Sequence, residues 1–231
     1  VIYGFHPVRE LLRREPGAVS KLWIAAGPGR RRREIEALCR RHRIAVEEVP
    51  RSRLDALAGS SSHNGFAAVS RTPAAAPEAP GDSDFQVLAE DVQDPRNLGA
   101  LLRVCEGAGV GRVLIRDRGS APLSATAVRT SAGAAEWLPV ERITNPAREI
   151  TALQKQGFWI YGTDPSGLPP WEVDLTGKVL LCFGGEKSGL RALTRKLCDA
   201  LVGLPMRGRL ESLNLATAAA AVLYEALRQR S

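Results

Sequence analysis

The chain has 231 residues, 44% of them hydrophobic, which suffices for one large core or two small ones and contains no run long and apolar enough to cross a membrane. Its formal charge of +7 lies wholly in the first 72 residues, which carry 14 basic and 7 acidic side chains, while residues 73–231 balance at 18 and 18. Cys39, Cys105, Cys182 and Cys198 form neither a Cys-x-x-Cys pair nor a zinc spacing with histidine, so buried reduced thiols, no metal and a cytoplasmic protein without signal peptide are expected.

Helix and strand patterns alternate from the start. Residues Val8 to Arg14 read as helix, Lys21 to Ala25 as strand, Arg31 to Arg41 as helix, Ile44 to Val49 as strand, Arg51 to Ala58 as helix and Phe66 to Ser70 as strand. This makes a small α/β unit over residues 1–72. The run Arg30, Arg31, Arg32 and Arg33 is either the solvated start of a helix or an RNA contact, and the lopsided charge favours a polyanion. Ser62-His63-Asn64-Gly65-Phe66 reads first as a turn, because Gly65 tolerates positive φ, and second as an RNA contact.

Residues 73–84 hold three prolines and almost nothing that can be buried, the composition of a semi-extended linker. Beyond it, over 85–231, buried-strand runs return at Phe85 to Glu90, Arg112 to Ile115, Phe158 to Gly162, Val179 to Phe183 and Leu201 to Leu204. Helical patterns fall between most of them, at Leu98 to Ala108, Ala125 to Gly133, Pro146 to Gln156, Leu190 to Asp199 and Ser212 to Gln229. Near-continuous apolar strands separated by helices predict a mostly parallel sheet covered on both faces. The fold class is therefore α/β throughout.

Two nucleotide motifs are excluded. Gly107-Ala108-Gly109-Val110-Gly111 ends a helix and precedes a strand, the reverse of a dinucleotide-binding turn. Gly185-Glu186-Lys187-Ser188 has a glutamate where a phosphate-binding loop requires glycine before its lysine. Three other segments remain at the edges of apolar runs, where α/β proteins place ligand contacts. They are Asp94-Pro95-Arg96-Asn97-Leu98-Gly99 running to Arg103, Gly184-Gly185-Glu186-Lys187-Ser188-Gly189, and Leu204-Pro205-Met206 followed by Ser212-Leu213-Asn214.

In this order the three segments resemble the motifs of the SpoU/TrmH family of RNA ribose 2'-O-methyltransferases, in the SPOUT superfamily. The opening Ile2-Tyr3-Gly4-Phe5-His6-Pro7-Val8, the stretch from Ser124-Ala125-Thr126-Ala127 to Ser131-Ala132-Gly133-Ala134, and the end Glu225 to Arg230 look like the bacterial subgroup that methylates a guanosine of large-subunit ribosomal RNA. The resemblance implies a ribosomal-protein-like RNA-binding module followed by a catalytic domain threaded as a trefoil knot, which generic topology rules would not suggest. It also implies S-adenosylmethionine as methyl donor, ribosomal RNA or its precursor as partner, and a homodimer meeting at Ala216 to Tyr224 and at the Asn97 to Arg103 helix.

By motif position, the resemblance makes Arg103 the catalytic arginine and places Asn97, Glu186, Ser212 and Asn214 at the catalytic centre. Arginine is a poor base because it stays charged, so Arg103 is expected to stabilise the developing alkoxide or a substrate phosphate. Asn97, Ser212 and Asn214 also read as helix caps, and Glu186 is expected to orient Asn97 or Arg103 through a charge-assisted hydrogen bond. Thr163, Gly184, Leu204, Met206 and Leu213 are the implied cofactor contacts, with ordinary core packing the competing reading for Leu204 and Met206. Ser131 and Gly133 are expected to shape the RNA-facing side. Two positions depart from the family's pattern: Ala89-Glu90-Asp91-Val92 replaces the usual Leu-Asp-Gly-Val, and Gly185 stands where Ser or Ala is common. A transfer-RNA or antibiotic-resistance methyltransferase of the same fold is the nearest alternative, and a non-catalytic ribosome-assembly factor the alternative from another class.

Overall fold

The computed structural model describes residues 1–61, 63–70, 81–186 and 188–231. Two sheets organise it. The first has the order β1-β4-β2-β3, built from β1 (Ile2–Tyr3), β2 (Val19–Ala25), β3 (Val46–Val49) and β4 (Phe66–Ser70). Only the β2 and β3 pair is parallel, while β4 runs antiparallel to β1 and β2. The period of two along β2 divides its side chains. Leu22 and Ile24 pack under α1 (Phe5–Arg14) and α2 (Arg30–Arg41), and Trp23 turns to the other face with Leu54 of α3 (Arg51–Ala58).

The second sheet has six strands, every neighbouring pair parallel, in the order β10-β8-β9-β5-β6-β7. These are β5 (Asp82–Ala89), β6 (Val110–Arg116), β7 (Val140–Ile143), β8 (Trp159–Leu168), β9 (Val179–Phe183) and β10 (Ala200–Val202). Phe85, Val87 and Ala89 of β5 face a core completed by α4 (Pro95–Gly107) and α8 (Leu215–Arg230). Leu88 faces the opposite core with Ile150 and Leu153 of α6 (Pro146–Lys155) and the flanking side chains of α7 (Ala192–Leu197). The chain leaves β5 toward β6 on one side, and β9 lies on the other, so the strand order reverses between β5 and β9. That reversal opens a crevice at the carboxyl ends of the two strands.

Several expected boundaries shift. The last residues of the expected linker, Asp82 to Asp84, begin β5 because Asp82 pairs with Val110, and residues 73–80 lie outside the described residues. The helix expected to reach Gly133 stops as α5 (Ala125–Thr130), because Ala132 and Gly133 take positive φ of 55° and 103°. The final helix starts at Leu215 rather than Ser212, capped by Asn214. The short strands β1 and β7 escape a periodicity reading because neither offers more than four residues. All four cysteines are free thiols, three of them buried, and burial pushes Cys39 up to about 11.

The two sheet assemblies meet along α1. The Trp137 indole N–H donates to Glu10 Oε2 at 3.0 Å, and Arg14 lies 3.5 Å from Glu136, whose carboxyl is pushed up by burial. A Cβ at Gly133 would stand 2.5 Å from Glu10 Cγ, so this close approach needs glycine both for space and for its φ. Gly99 serves α4 similarly: a Cβ there would lie 2.3 Å from the Ala127 carbonyl oxygen on α5. Alanine would gain about 1 kcal/mol of helix propensity, but the overlap is with backbone that cannot swing away. Gly99→Ala is expected to lower the unfolding free energy by about 1–3 kcal/mol, read from the urea midpoint at unchanged m-value.

Candidate functional site

A cavity of about 710 Å³ opens at the β5/β9 reversal, within the range of small-molecule sites. Its geometry follows from register. Ala89 pairs with Phe183 and the Glu90 N–H donates to the Phe183 carbonyl at 2.9 Å, so the segments leaving β5 and β9 emerge side by side. The first leads into α4, where Pro95 fills a position that needs no N–H and Asp94 accepts from the Arg96 N–H at 2.8 Å. Asp94, not Asn97, is therefore the cap, and the Asn97 side chain is left free for the crevice.

Asn97 donates through Nδ2 to Glu186 Oε1 at 2.8 Å and accepts through Oδ1 from Asn214 Nδ2 at 3.0 Å. Asn214 Oδ1 in turn accepts from the Ala216 N–H at 2.9 Å, capping α8. Glu186 Oε2 receives the Gln93 N–H at 3.4 Å. An ionised carboxylate only accepts, so Glu186 fixes which end of the Asn97 amide points to it, and that choice orients the Asn214 amide. One directional relay thus joins the three segments singled out in the sequence. Ser212 lines the same cavity just before the relay's last residue, outside α8.

The expected cofactor contacts converge. Thr163, Gly184, Leu204, Met206 and Leu213 all line the cavity, as do Phe183 and Val222 on its apolar side. Thr163 Oγ1 donates to the Cys182 carbonyl at 3.0 Å, fastening the middle of β8 to the end of β9. A Cβ at Gly184 would fall 2.0 Å from the Gly189 carbonyl carbon, so the loop folds back on itself only with glycine there. An apolar wall, a bare-backbone loop and adjacent amide and carboxylate groups fit a ligand with a purine and a charged tail, the make-up of S-adenosylmethionine.

The departures from the family's pattern meet in space. Asp91 takes φ of 53°, and its carbonyl oxygen and Cβ would lie 2.4 and 3.1 Å from a Cβ at residue 185. The backbone of Asp91 alone therefore leaves only glycine fitting at 185. Arg116 at 2.6 Å and Arg191 at 3.1 Å hold the Asp91 carboxylate. Glu90, fully buried, accepts from Thr194 Oγ1 at 2.7 Å and from the Arg191 N–H at 3.3 Å, and burial pushes its carboxyl up.

Other expected residues lie elsewhere. Arg103 is exposed on α4 and outside this cavity: six residues past Asn97 place it on a different helix face. Ser131 does not face RNA, because it is 1% exposed and its hydroxyl donates to the Val128 carbonyl at 2.7 Å. His63 is likewise sealed: Nδ1 accepts from the Gly65 N–H at 2.9 Å, so Nε2 bears the proton shared with Asp55 at 2.9 Å. It shapes the turn and offers RNA nothing. Arg32 is tied to Glu36 at 2.7 Å and Glu48 at 2.5 Å, whereas Arg30, Arg31 and Arg33 are exposed. The reading of motifs missed Asp164 and Glu211, two carboxylates lining the cavity. Asp164 directly follows Thr163, and that adjacency was the available signal.

A parallel α/β sheet with a cavity at its strand-order reversal, walled by a glycine loop and an amide relay, defines an enzyme that binds a nucleotide-like cofactor. A model described as the SpoU rRNA Methylase family matches residues 84–224, and one described as RNA 2'-O ribose methyltransferase substrate binding matches residues 1–75. The chain belongs to the SpoU rRNA methylase family. It is 42% identical to the 23S rRNA (guanosine-2'-O-)-methyltransferase RlmB of Xanthomonas axonopodis pv. citri, over 99% of this chain and 96% of that one. The RlmB of Shewanella oneidensis is 35% identical over 100% and 97%. The SpoU methyltransferase AviRb of Streptomyces viridochromogenes, solved with AdoMet, superposes with a TM-score of 0.81 at 26% identity, covering 99% of this chain and 89% of that one.

Glu186→Ala removes the group that sets the relay's direction. Because Glu186 is exposed and water can replace it, stability should change by less than about 1 kcal/mol. Methyl transfer should fall about a hundredfold as the Asn97 amide loses its fixed orientation. Urea titration and a labelled-methyl assay check the two halves.

Proposed function

We propose that this protein transfers a methyl group from S-adenosylmethionine to the ribose 2'-hydroxyl of a guanosine in large-subunit ribosomal RNA, in the cytoplasm. The observation that carries the reading is the Glu186–Asn97–Asn214 relay at the mouth of the cavity. Full-length identity to proteins named 23S rRNA (guanosine-2'-O-)-methyltransferase supports the choice of RNA and nucleoside. The basic first 72 residues would hold RNA, and the charge-balanced remainder would do the chemistry. Threading of the carboxyl-terminal part as a trefoil knot belongs to the same proposal. Among the described residues no helix is long and apolar enough to cross a membrane.

The bound cofactor would supply an electrophilic methyl group on a positive sulfur. The residues of this chain then have three tasks. Thr163, Gly184, Leu204, Met206 and Leu213 bind and shield from water. Asn97 and Asn214, held in one orientation by Glu186, together with Ser212 beside them, align the ribose, which by itself provides much of the acceleration. Arg103 stabilises charge on the 2'-oxygen or on the adjoining phosphate as the proton leaves.

Arg103 lies outside the cavity of its own chain, which supports a homodimer in which each site is bordered by the second copy. α4 and α8 pack together, and Leu213 and Tyr224, on or beside α8, are 42% and 52% exposed. These surfaces are the proposed interface. Equilibrium sedimentation should give a dimer at micromolar concentration, and a monomer would count against it.

The function is tested by incubating the protein with labelled S-adenosylmethionine and total RNA from cells lacking it, then mapping the label. Label on one guanosine ribose of large-subunit RNA is the expected result. Label on transfer RNA would keep the chemistry and replace the substrate, and no label on any RNA would favour a binding factor. Arg103→Ala should abolish turnover while cofactor affinity changes by less than about tenfold, roughly 1.4 kcal/mol.

A further inference from the structure

The chain has no histidine after His63, and His63 is sealed in its turn. The fold nevertheless brings an imidazole toward the catalytic side. His6 faces solvent in the first turn of α1, and α1 packs against α5 and the 3₁₀ turn Ala134–Glu136, the same two pieces that pack on α4. Its carbonyl oxygen would lie 3.4 Å from a Cβ at Gly133, which puts the residue at the seam between the two sheet assemblies.

Three side chains gather there around one phenyl ring. The His6 imidazole meets Phe5 edge-on at 5.0 Å, and the guanidinium groups of Arg9 and Arg31 lie over it at 5.3 and 5.2 Å. Across the seam stands Arg103, on the α4 that packs against the same α5 and 3₁₀ turn as α1, and its charge is one of those acting on His6. Partial desolvation, then Arg9, Arg31 and Arg103, hold the imidazole below its ordinary pKa, while Glu10 pulls the other way. At neutral pH the ring is therefore predominantly uncharged and can donate a hydrogen bond without adding to the repulsion.

Two of these charges are not balanced by acids. Arg9 pairs with Glu10 at 2.7 Å and Glu34 at 3.7 Å, but among the described residues neither Arg31 nor Arg103 has a hydrogen-bond or carboxylate partner. Cations collected from two assemblies without compensation repel one another and are complemented by a polyanion. The guanidinium fork matches phosphate oxygens in particular.

Resting on the ribose-methylation reading above, we propose that the RNA backbone crosses this seam and that the phosphate beside the reacting ribose is gripped jointly by Arg103 and by Arg31 and His6. The first assembly is then a positioning part of the methyl-transfer site and not only a tether for RNA. The seam travels with Arg103 to whichever cavity that arginine borders, its own or the second copy's.

The test uses the full chain, large-subunit ribosomal RNA transcribed in vitro without modification, and labelled S-adenosylmethionine in single turnover at saturating RNA. His6→Ala and Arg31→Ala should each lower the saturating rate about tenfold or more. The double variant should lose less than the product of the two, because both act on one phosphate. His6→Gln, which retains a donor, should recover part of the rate. Both native side chains face solvent, and an unchanged heat of cofactor binding will show that the fold is intact. Saturating rates equal to wild type, with only KM raised, would reduce the first assembly to a tether and overturn the proposal. Wild-type protein that labels no RNA would instead remove the methylation reading itself, and the seam's catalytic role with it.

Discussion

An acceptor-only carboxylate cannot be satisfied from either end of an amide, and the site depends on that asymmetry. Glu186 accepts from Asn97 Nδ2, which leaves Asn97 Oδ1 for Asn214, which leaves Asn214 Oδ1 to cap α8. The relay exists only where the loop after β9, the first turn of α4 and the start of α8 coincide. The strand order β9-β5 brings the first two together, and the packing of α8 on α4 brings the third. Each hydrogen bond is weak in free energy, so the relay contributes orientation more than stability.

Close backbone approaches make that coincidence possible. Gly184 lets its loop fold onto Gly189, and Gly99 lets α4 lie against α5. The contact between Asp91 and Gly185 leaves no room for a Cβ at 185, because the Asp91 carbonyl oxygen would lie 2.4 Å from it. The buried Glu90 supports the same wall from behind, tying the end of β5 to the start of α7 through Thr194 and Arg191.

Much of this was legible in the sequence, for identifiable reasons. The apolar runs Val179 to Phe183 and Phe66 to Ser70 coincide with β9, buried along its whole length, and β4, buried over its first three residues. Asn97, Glu186 and Asn214 stand in short motifs whose order carried the information, and the structure joins them by direct hydrogen bonds. What was not legible depends on three-dimensional satisfaction of polar groups. Nothing local to Ser131 or His63 says that its donors and acceptors are already consumed within the fold. Nothing local to Arg103 says that six residues of helix carry it away from Asn97, or to His6 that a residue near the amino end meets the catalytic half. One boundary moved where the left-handed residues Ala132 and Gly133 ended a helix that composition would have continued.

The last helix makes its contacts with distant parts of the chain. Asn214 bonds to a residue 117 positions earlier, and Arg230 bonds to Asp82, 148 positions earlier, while lying 4.4 Å over the Phe85 ring. Closing loops of that length costs entropy that grows only logarithmically, so the native state tolerates it. Rates are another matter, since contacts remote in sequence form slowly. The first sheet assembly closes on itself within 70 residues, whereas the cavity is complete only when α8 supplies Leu215, Ala218 and Val222 to its lining. Contact order thus predicts that the basic surface forms early in folding and the catalytic pocket is completed late.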